Sequence, residues 1–211
     1  MSPVRSLVRS GTAVIALALV AALLAASGVL LALSRDWSPS VLTSSGGSES
    51  LKVGLTNYDT AERVSMPDLQ GADLHGRPVA LSDYDNQILV INVWGSWCRP
   101  CRAEAPDLAG ASRSFRSDGV QFIGIDTRDN VSSALSFEAR YDIPYPSFDE
   151  RARAVLADFP DVVPLSAVPS TVFVDSEGQV AATVIGRVTG EVLQEQIGAL
   201  IDERDTSGAR S

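Results

Sequence analysis

The chain is poor in the residues from which most catalytic and metal sites are built. Its 211 residues include one histidine and two cysteines. A single imidazole, His75, excludes histidine triads and multi-histidine metal centres. Set in the turn-like stretch Leu74-His75-Gly76-Arg77, it reads as solvated surface. Two thiols and one imidazole also fall short of the four ligands a structural zinc site needs. The cysteines, Cys98 and Cys101, cannot form a stabilising disulfide framework, because a bridge between them closes a tiny loop and restrains little. Positive charge is scarce as well: the formal net charge is −9. With no basic patch and no interleaved aromatics, nonspecific nucleic-acid binding is excluded. No internal repeat is present, and nothing in the sequence asks for a metal or another cofactor.

What is present is the cysteine pair in Trp97-Cys98-Arg99-Pro100-Cys101, just after the apolar run Ile88–Trp94. Such a pair, between a buried strand and a helix, is a site for dithiol–disulfide exchange. Only a thiolate attacks a disulfide, so the first cysteine needs a lowered pKa and access to solvent. Cys98 is placed for both, because helix dipole and unpaired amides at the helix start favour a negative sulfur. Pro100 suits the first helical turn, and Arg99 adds a nearby positive charge. Cys101, one turn in, is placed to resolve a mixed disulfide from inside.

Glu104 follows three residues later on the same side of the helix. If buried, its carboxyl titrates high and trades protons with Cys101. If exposed, it merely complements the helix dipole. Pro106 removes a helical hydrogen bond and predicts a kink. Trp94 and Trp97 read as packing residues, Trp97 also as a shield over the sulfurs. Val168-Pro169 precedes an apolar strand; from sequence alone a trans bond is expected, since only about 5–6% of X–Pro bonds are cis.

Thr12–Leu33 is an uncharged run rich in Ala, Leu and Val. As a helix it spans roughly 30 Å, the thickness of a bilayer core. Arg5 and Arg9 before it favour a cytoplasmic N-terminus (residues 1–11), a transmembrane anchor over 12–34 and an exported domain. A cleaved signal peptide is the alternative, given the small residues of Ala32-Leu33-Ser34, although the run exceeds the usual apolar core of such peptides. Residues 35–64, rich in Ser, Thr, Gly and Asp, read as a polar linker with at most short ordered pieces. Residues 205–211 read as a disordered tail. That leaves 65–204, about 140 residues, enough for one domain with a real core.

Within it, strand and helix signals alternate. Leu69–Gly71 and Pro78–Leu81 predict an N-terminal β-hairpin. Ile88–Trp94, Gln121–Asp126 and Ser170–Asp175 predict buried strands. Helices are expected over 99–116, after the cap Asn130, over 151–158, and from Thr189 onward, burying Leu193, Ile197, Leu200 and Ile201. Ser176–Gln179 turns the chain into the strand Val180–Val188. A βαβ unit followed by a hairpin and a helix gives an α/β three-layer sandwich: a mixed central sheet with helices on both faces.

The string Val93-Trp94-Gly95-Ser96-Trp97-Cys98-Arg99-Pro100-Cys101-Arg102-Ala103-Glu104-Ala105-Pro106 resembles the active-site segment of membrane-anchored, thioredoxin-like TlpA/ResA-type oxidoreductases. The similarity extends over roughly Ser65 to Asp202 and includes Ala167–Asp175. It implies a thioredoxin-like fold in which Cys98 is the nucleophile, Cys101 the resolving thiol and Glu104 a working acid–base. It also implies a cis Val168–Pro169 bond facing the cysteines, with Trp97, Val168 and Pro169 at the substrate. The backbone before that proline would pair with an extended substrate segment. Members of this family reduce the C-x-x-C-H disulfide of apocytochrome c, taking electrons from a membrane thiol donor.

Two features depart from the pattern: the long, proline-rich approach Asp158–Leu165, and Arg99, whose position tunes the potential. The reading is therefore a membrane-bound, extracytoplasmic thiol–disulfide reductase acting on protein disulfides. Its rivals are an oxidant or isomerase for secreted proteins, and a copper(I) metallochaperone using the two sulfurs. A peroxidase is disfavoured, since Gly95 stands where peroxiredoxins carry threonine.

Overall fold

The structure, a computed structural model, describes residues 54–149 and 167–209. The expected membrane segment, most of the linker, the 151–158 helix and the proline-rich stretch 158–165 lie outside them. Among the described residues no helix is long and apolar enough to cross a membrane.

The strands are β1 (Gly54–Asn57), β2 (Gln70–Ala72), β3 (Pro78–Ala80), β4 (Ile88–Trp94), β5 (Val120–Asp126), β6 (Ser147–Phe148), β7 (Ser170–Val174) and β8 (Val180–Ile185). The helices are α1 (Arg99–Ser114), α2 (Val131–Tyr141) and α3 (Gly190–Gly208). Six strands form one mixed sheet in the order β1-β8-β7-β4-β5-β6, and β2 pairs with β3 in a separate antiparallel ribbon. The β4–β5 and β5–β6 pairs are parallel, while β7 runs antiparallel to β4 and to β8. This is a thioredoxin-like α/β fold.

All seven residues of β4 are buried, as its unbroken apolar character requires of a central strand covered on both sides. Alternate side chains divide between two cores. Ile88 and Val90 join Phe122 and Phe173 beneath Leu108 of α1 and Leu193, Ile197 and Leu200 of α3. Leu89, Ile91 and Val93 join Ile123, Ile125, Val172 and Val174 beneath Leu69, Leu81, Val79 and Tyr84. Among the described residues, then, the second face is roofed by the ribbon and by the short 3-10 helix Leu81–Tyr84 that follows it.

Local chemistry sets the element ends. The Asn130 side chain accepts the Ser133 N–H and starts α2, and Thr189 does the same for α3 through Val192. Asp175 accepts the N–H groups of Glu177 and Gln179, closing the β7–β8 turn. Helix α1 continues through Pro106 to Ser114.

Two boundaries differ from the sequence reading. Strand β1 lies in the stretch assigned to the linker, pairing with Ala182–Ile185 of β8, so the folded domain begins before residue 65. Four residues of weak pattern gain their structure from a ready-made sheet edge. Downstream of them, the Arg63 guanidinium bonds Asp175 and Glu203, at 2.8 Å each, fixing the same segment to the β7–β8 turn and to α3. At the other end, α3 runs to Gly208 instead of ending at residue 204, with the Arg204 guanidinium donating to the Asp118 carbonyl at 2.7 Å.

Candidate active site

Strand β4 ends at Trp94, and Gly95-Ser96-Trp97 leads into α1, with Cys98 as its cap residue. The Cys98 N–H donates to the Gly95 carbonyl at 3.0 Å, and Cys98 Sγ accepts the Cys101 N–H at 3.2 Å. That second bond comes from an amide at a helix start, which needs an acceptor and carries partial positive charge. It stabilises a sulfur anion at Cys98. The two cysteines form a disulfide.

Cys98 is less open than its position suggests. In this oxidised form 3% of the residue reaches solvent, and Cys101 only 1%. Both pack with Leu74, Trp94, Ala105, Ala134 and Phe137, and Val168 covers the same cluster. Leu74 comes from the β2–β3 ribbon, which no local pattern connects with the cysteines.

Glu104 is fully buried, so of the two alternatives for this residue the structure selects the buried one. Its Oε1 accepts from Asn92 Nδ2 at 3.0 Å, and its Oε2 accepts the Val188 N–H at 2.9 Å. Asn92 Nδ2 also donates to Thr171 Oγ1 at 3.1 Å. Burial pushes the Glu104 carboxyl up to about 7, and the two hydrogen bonds only partly offset it. A buried acid that titrates near neutrality is suited to proton transfer. Asn92, Cys101, Leu108 and Tyr145 line one enclosed cavity of about 10 Å³, so the amide that holds Glu104 borders the inner sulfur. Burial also drives the Tyr145 phenol well above its ordinary range, which keeps it protonated.

The remaining sequence candidates divide. Trp94 is buried and stacks on Phe137 at 4.4 Å between ring centroids. Trp97 is not a packing residue: it is 45% exposed. Its Nε1 donates to the Thr127 carbonyl at 3.1 Å, and the Arg128 guanidinium lies 4.8 Å from the ring centroid. A Cβ at Gly95 would sit 2.5 Å from Trp97 Nε1, so only glycine lets the indole fold back this way. Pro169 is buried and the Val168–Pro169 bond is cis, against the expectation from sequence alone and in line with the resemblance. His75 is half exposed and lies 3.6 Å from the Glu138 carboxylate. Sequence reasoning missed Asn92 and Val188, the partners of Glu104. A polar residue inside an otherwise apolar strand was the one available signal for Asn92.

Residues 63–183 match the AhpC/TSA family. The chain belongs to that family. It is 30% identical over 148 residues to thiol-disulfide oxidoreductase ResA of Bacillus subtilis (strain 168), covering 70% of this chain and 80% of that relative. Among solved structures, a secreted thiol-disulfide isomerase from Corynebacterium glutamicum matches with a TM-score of 0.66 and 30% identity, covering 74% of this chain and 96% of that one. A DsbF homologue from Corynebacterium diphtheriae matches with a TM-score of 0.66 and 33% identity, covering 73% and 97%. With a redox cysteine pair at a helix start on this fold, the family member described here is a thiol–disulfide oxidoreductase of the ResA/DsbE type.

Proposed function

We propose that the protein reduces disulfides in exported protein clients, the C-x-x-C-H disulfide of apocytochrome c among them. In this reading residues 12–34 anchor it in the cell membrane, the catalytic domain faces the extracytoplasmic side, and a membrane thiol donor recharges it. The observation that carries the reading is the buried Glu104 carboxyl behind Cys101, poised near neutrality.

The chemistry follows from that placement. In the dithiol form, the Cys98 thiolate, stabilised by the Cys101 N–H, attacks one sulfur of the client disulfide. A mixed disulfide forms and a client thiolate leaves, taking a proton from solvent. The Cys101 thiol then passes its proton to Glu104 and attacks Cys98 Sγ, expelling the second client thiolate. Two electrons have moved to the client, and the enzyme holds the disulfide seen here. An extended client segment pairing with the backbone before Pro169 would align its sulfurs with Cys98.

The likeness to a secreted thiol-disulfide isomerase favours a second reading, in which electrons run the other way or disulfides are shuffled. The reduction potential separates the two. A value near thioredoxin's, about −270 mV, supports the reductase, and one near DsbA's, about −120 mV, assigns the oxidant. Full-length Cys101→Ser should accumulate a mixed disulfide with its client in membranes, while Cys98→Ser should capture nothing. Normal turnover by Cys101→Ser would overturn the assignment of roles.

A further inference from the structure

The described arginines fall into two groups. Arg63, Arg77, Arg113, Arg187 and Arg204 each pair with a carboxylate. Arg99, Arg102, Arg128 and Arg140 pair with none among the described residues: Arg99 and Arg102 adjoin the redox pair in sequence, Arg128 lies over Trp97, and Arg140 shares a groove with Arg102; unpaired Arg116 lies beyond the far end of α1. Arg99 stands between the cysteines and is exposed. Arg102 donates through Nε and Nη2 to the Ser96 carbonyl, at 3.0 and 2.6 Å, which leaves its Nη1 N–H groups for a ligand. Arg128 lies over Trp97 with φ at 54°, a left-handed conformation that non-glycine residues adopt at a cost. Arg140 shares with Arg102 an open groove of about 520 Å³, walled also by Ser96, Ser132, Ser133 and Tyr141.

Among the described residues no carboxylate lines that groove. Among the described residues the acid on this rim is Asp129, whose carboxylate accepts the N–H groups of Ser96 at 2.6 Å and Asn130 at 2.9 Å and pairs with none of the four arginines. In a chain of net charge −9, the described residues here thus set four guanidinium groups against one carboxylate, a local excess of positive charge. Guanidinium groups suit carboxylates, which they bind through paired N–H bonds.

We propose that this arginine collar is a docking surface for protein clients that carry Asp or Glu beside their disulfide, with a client carboxylate seated in the groove between Arg102 and Arg140. The inference rests on the reading that clients are protein disulfides, and it names the kind the site selects. Opposite charge on the client speeds encounter and sets which disulfides are presented to Cys98.

The test uses the full chain and three synthetic peptides with one identical disulfide loop, flanked by Asp/Glu, Ser or Lys. Exchange rates are read as kcat/KM in both directions: reduced enzyme on disulfide peptides, and oxidised enzyme on dithiol peptides. At low salt the acidic peptide should exceed the lysine peptide by about tenfold or more. The ratio should shrink toward one at about 0.5 M salt. It should collapse in the Arg99→Gln/Arg140→Gln double variant, survive in Arg140→Lys, and be untouched in Arg116→Gln. Equal rates on all three peptides, or a ratio that persists in the double variant, overturns the collar. Binding to anionic vesicles without any peptide preference does so too. If only oxidation of dithiol peptides runs, with the same acidic preference, the reductase reading falls and the collar stands. No exchange with any peptide overturns both.

Discussion

Replacing Glu104 by glutamine should change how stability depends on pH, in a way that separates a buried proton carrier from an ordinary core polar group. The carboxyl titrates near 4.5 when unfolded and at about 7 in the fold, with burial as the main cause. At roughly 1.4 kcal/mol per pH decade, that interval couples about 3 kcal/mol of folding stability to pH. The folded state holds the extra proton, so the full stability is present below about pH 4.5. It drains away as pH rises toward 7 and is gone above that.

Glutamine cannot titrate, and it brings a cost of its own. Its amide nitrogen must face either Asn92 Nδ2 or the Val188 N–H, both donors, so one buried hydrogen bond is lost. That costs about 1–3 kcal/mol. The variant should therefore be the less stable protein at about pH 4.5 and should equal or exceed the wild type at about pH 8. Urea midpoints of the oxidised full chain across that range, followed by tryptophan fluorescence, give the comparison. Because other carboxyls, such as the half-buried Glu138, are common to both proteins, the difference between the curves isolates Glu104. A constant offset at every pH would refute the reasoning.

Asn92→Ala deletes the side-chain hydrogen bond that pulls Glu104 downward, so its titration, and with it the pH midpoint of thiol exchange, should move above 7. An unmoved midpoint would mean that Glu104 does not govern the resolving step. Gly124→Ala should destabilise by about 1–3 kcal/mol, because the protein interior there is already filled. Its Cβ would lie 2.7 Å from Trp94 Nε1 and would press on Ser147 Oγ as well. An unchanged thermal midpoint together with an unchanged Trp94 emission would contradict that packing.

Features with a local cause were legible in the sequence. The seven apolar residues of β4, the Asn130 cap and the cysteine pair at a helix start each depend on neighbours within one turn or one strand. Features created by distant partners were not. Strand β1 exists because β8, more than a hundred residues later, offers an unpaired edge. The burial of Cys98 depends on Leu74 and Val168, which come from the ribbon and from the approach to β7. Spacing put Glu104 on the right side of α1, but its environment is set by Asn92 on β4 and a backbone N–H after β8. The cis bond before Pro169 was open to analogy alone, since local preference runs the other way.

Strand β1 matters beyond its four residues. By lying along Ala182–Ile185 it occupies the row of N–H and C=O groups that β8 would otherwise turn outward. A version of the protein trimmed to start at Ser65 would bare that row, and bared rows recruit the flank of another molecule. Strand β1 thus covers the edge of β8, and removing it should raise the tendency of the protein to self-associate, which light scattering of the shortened chain would read.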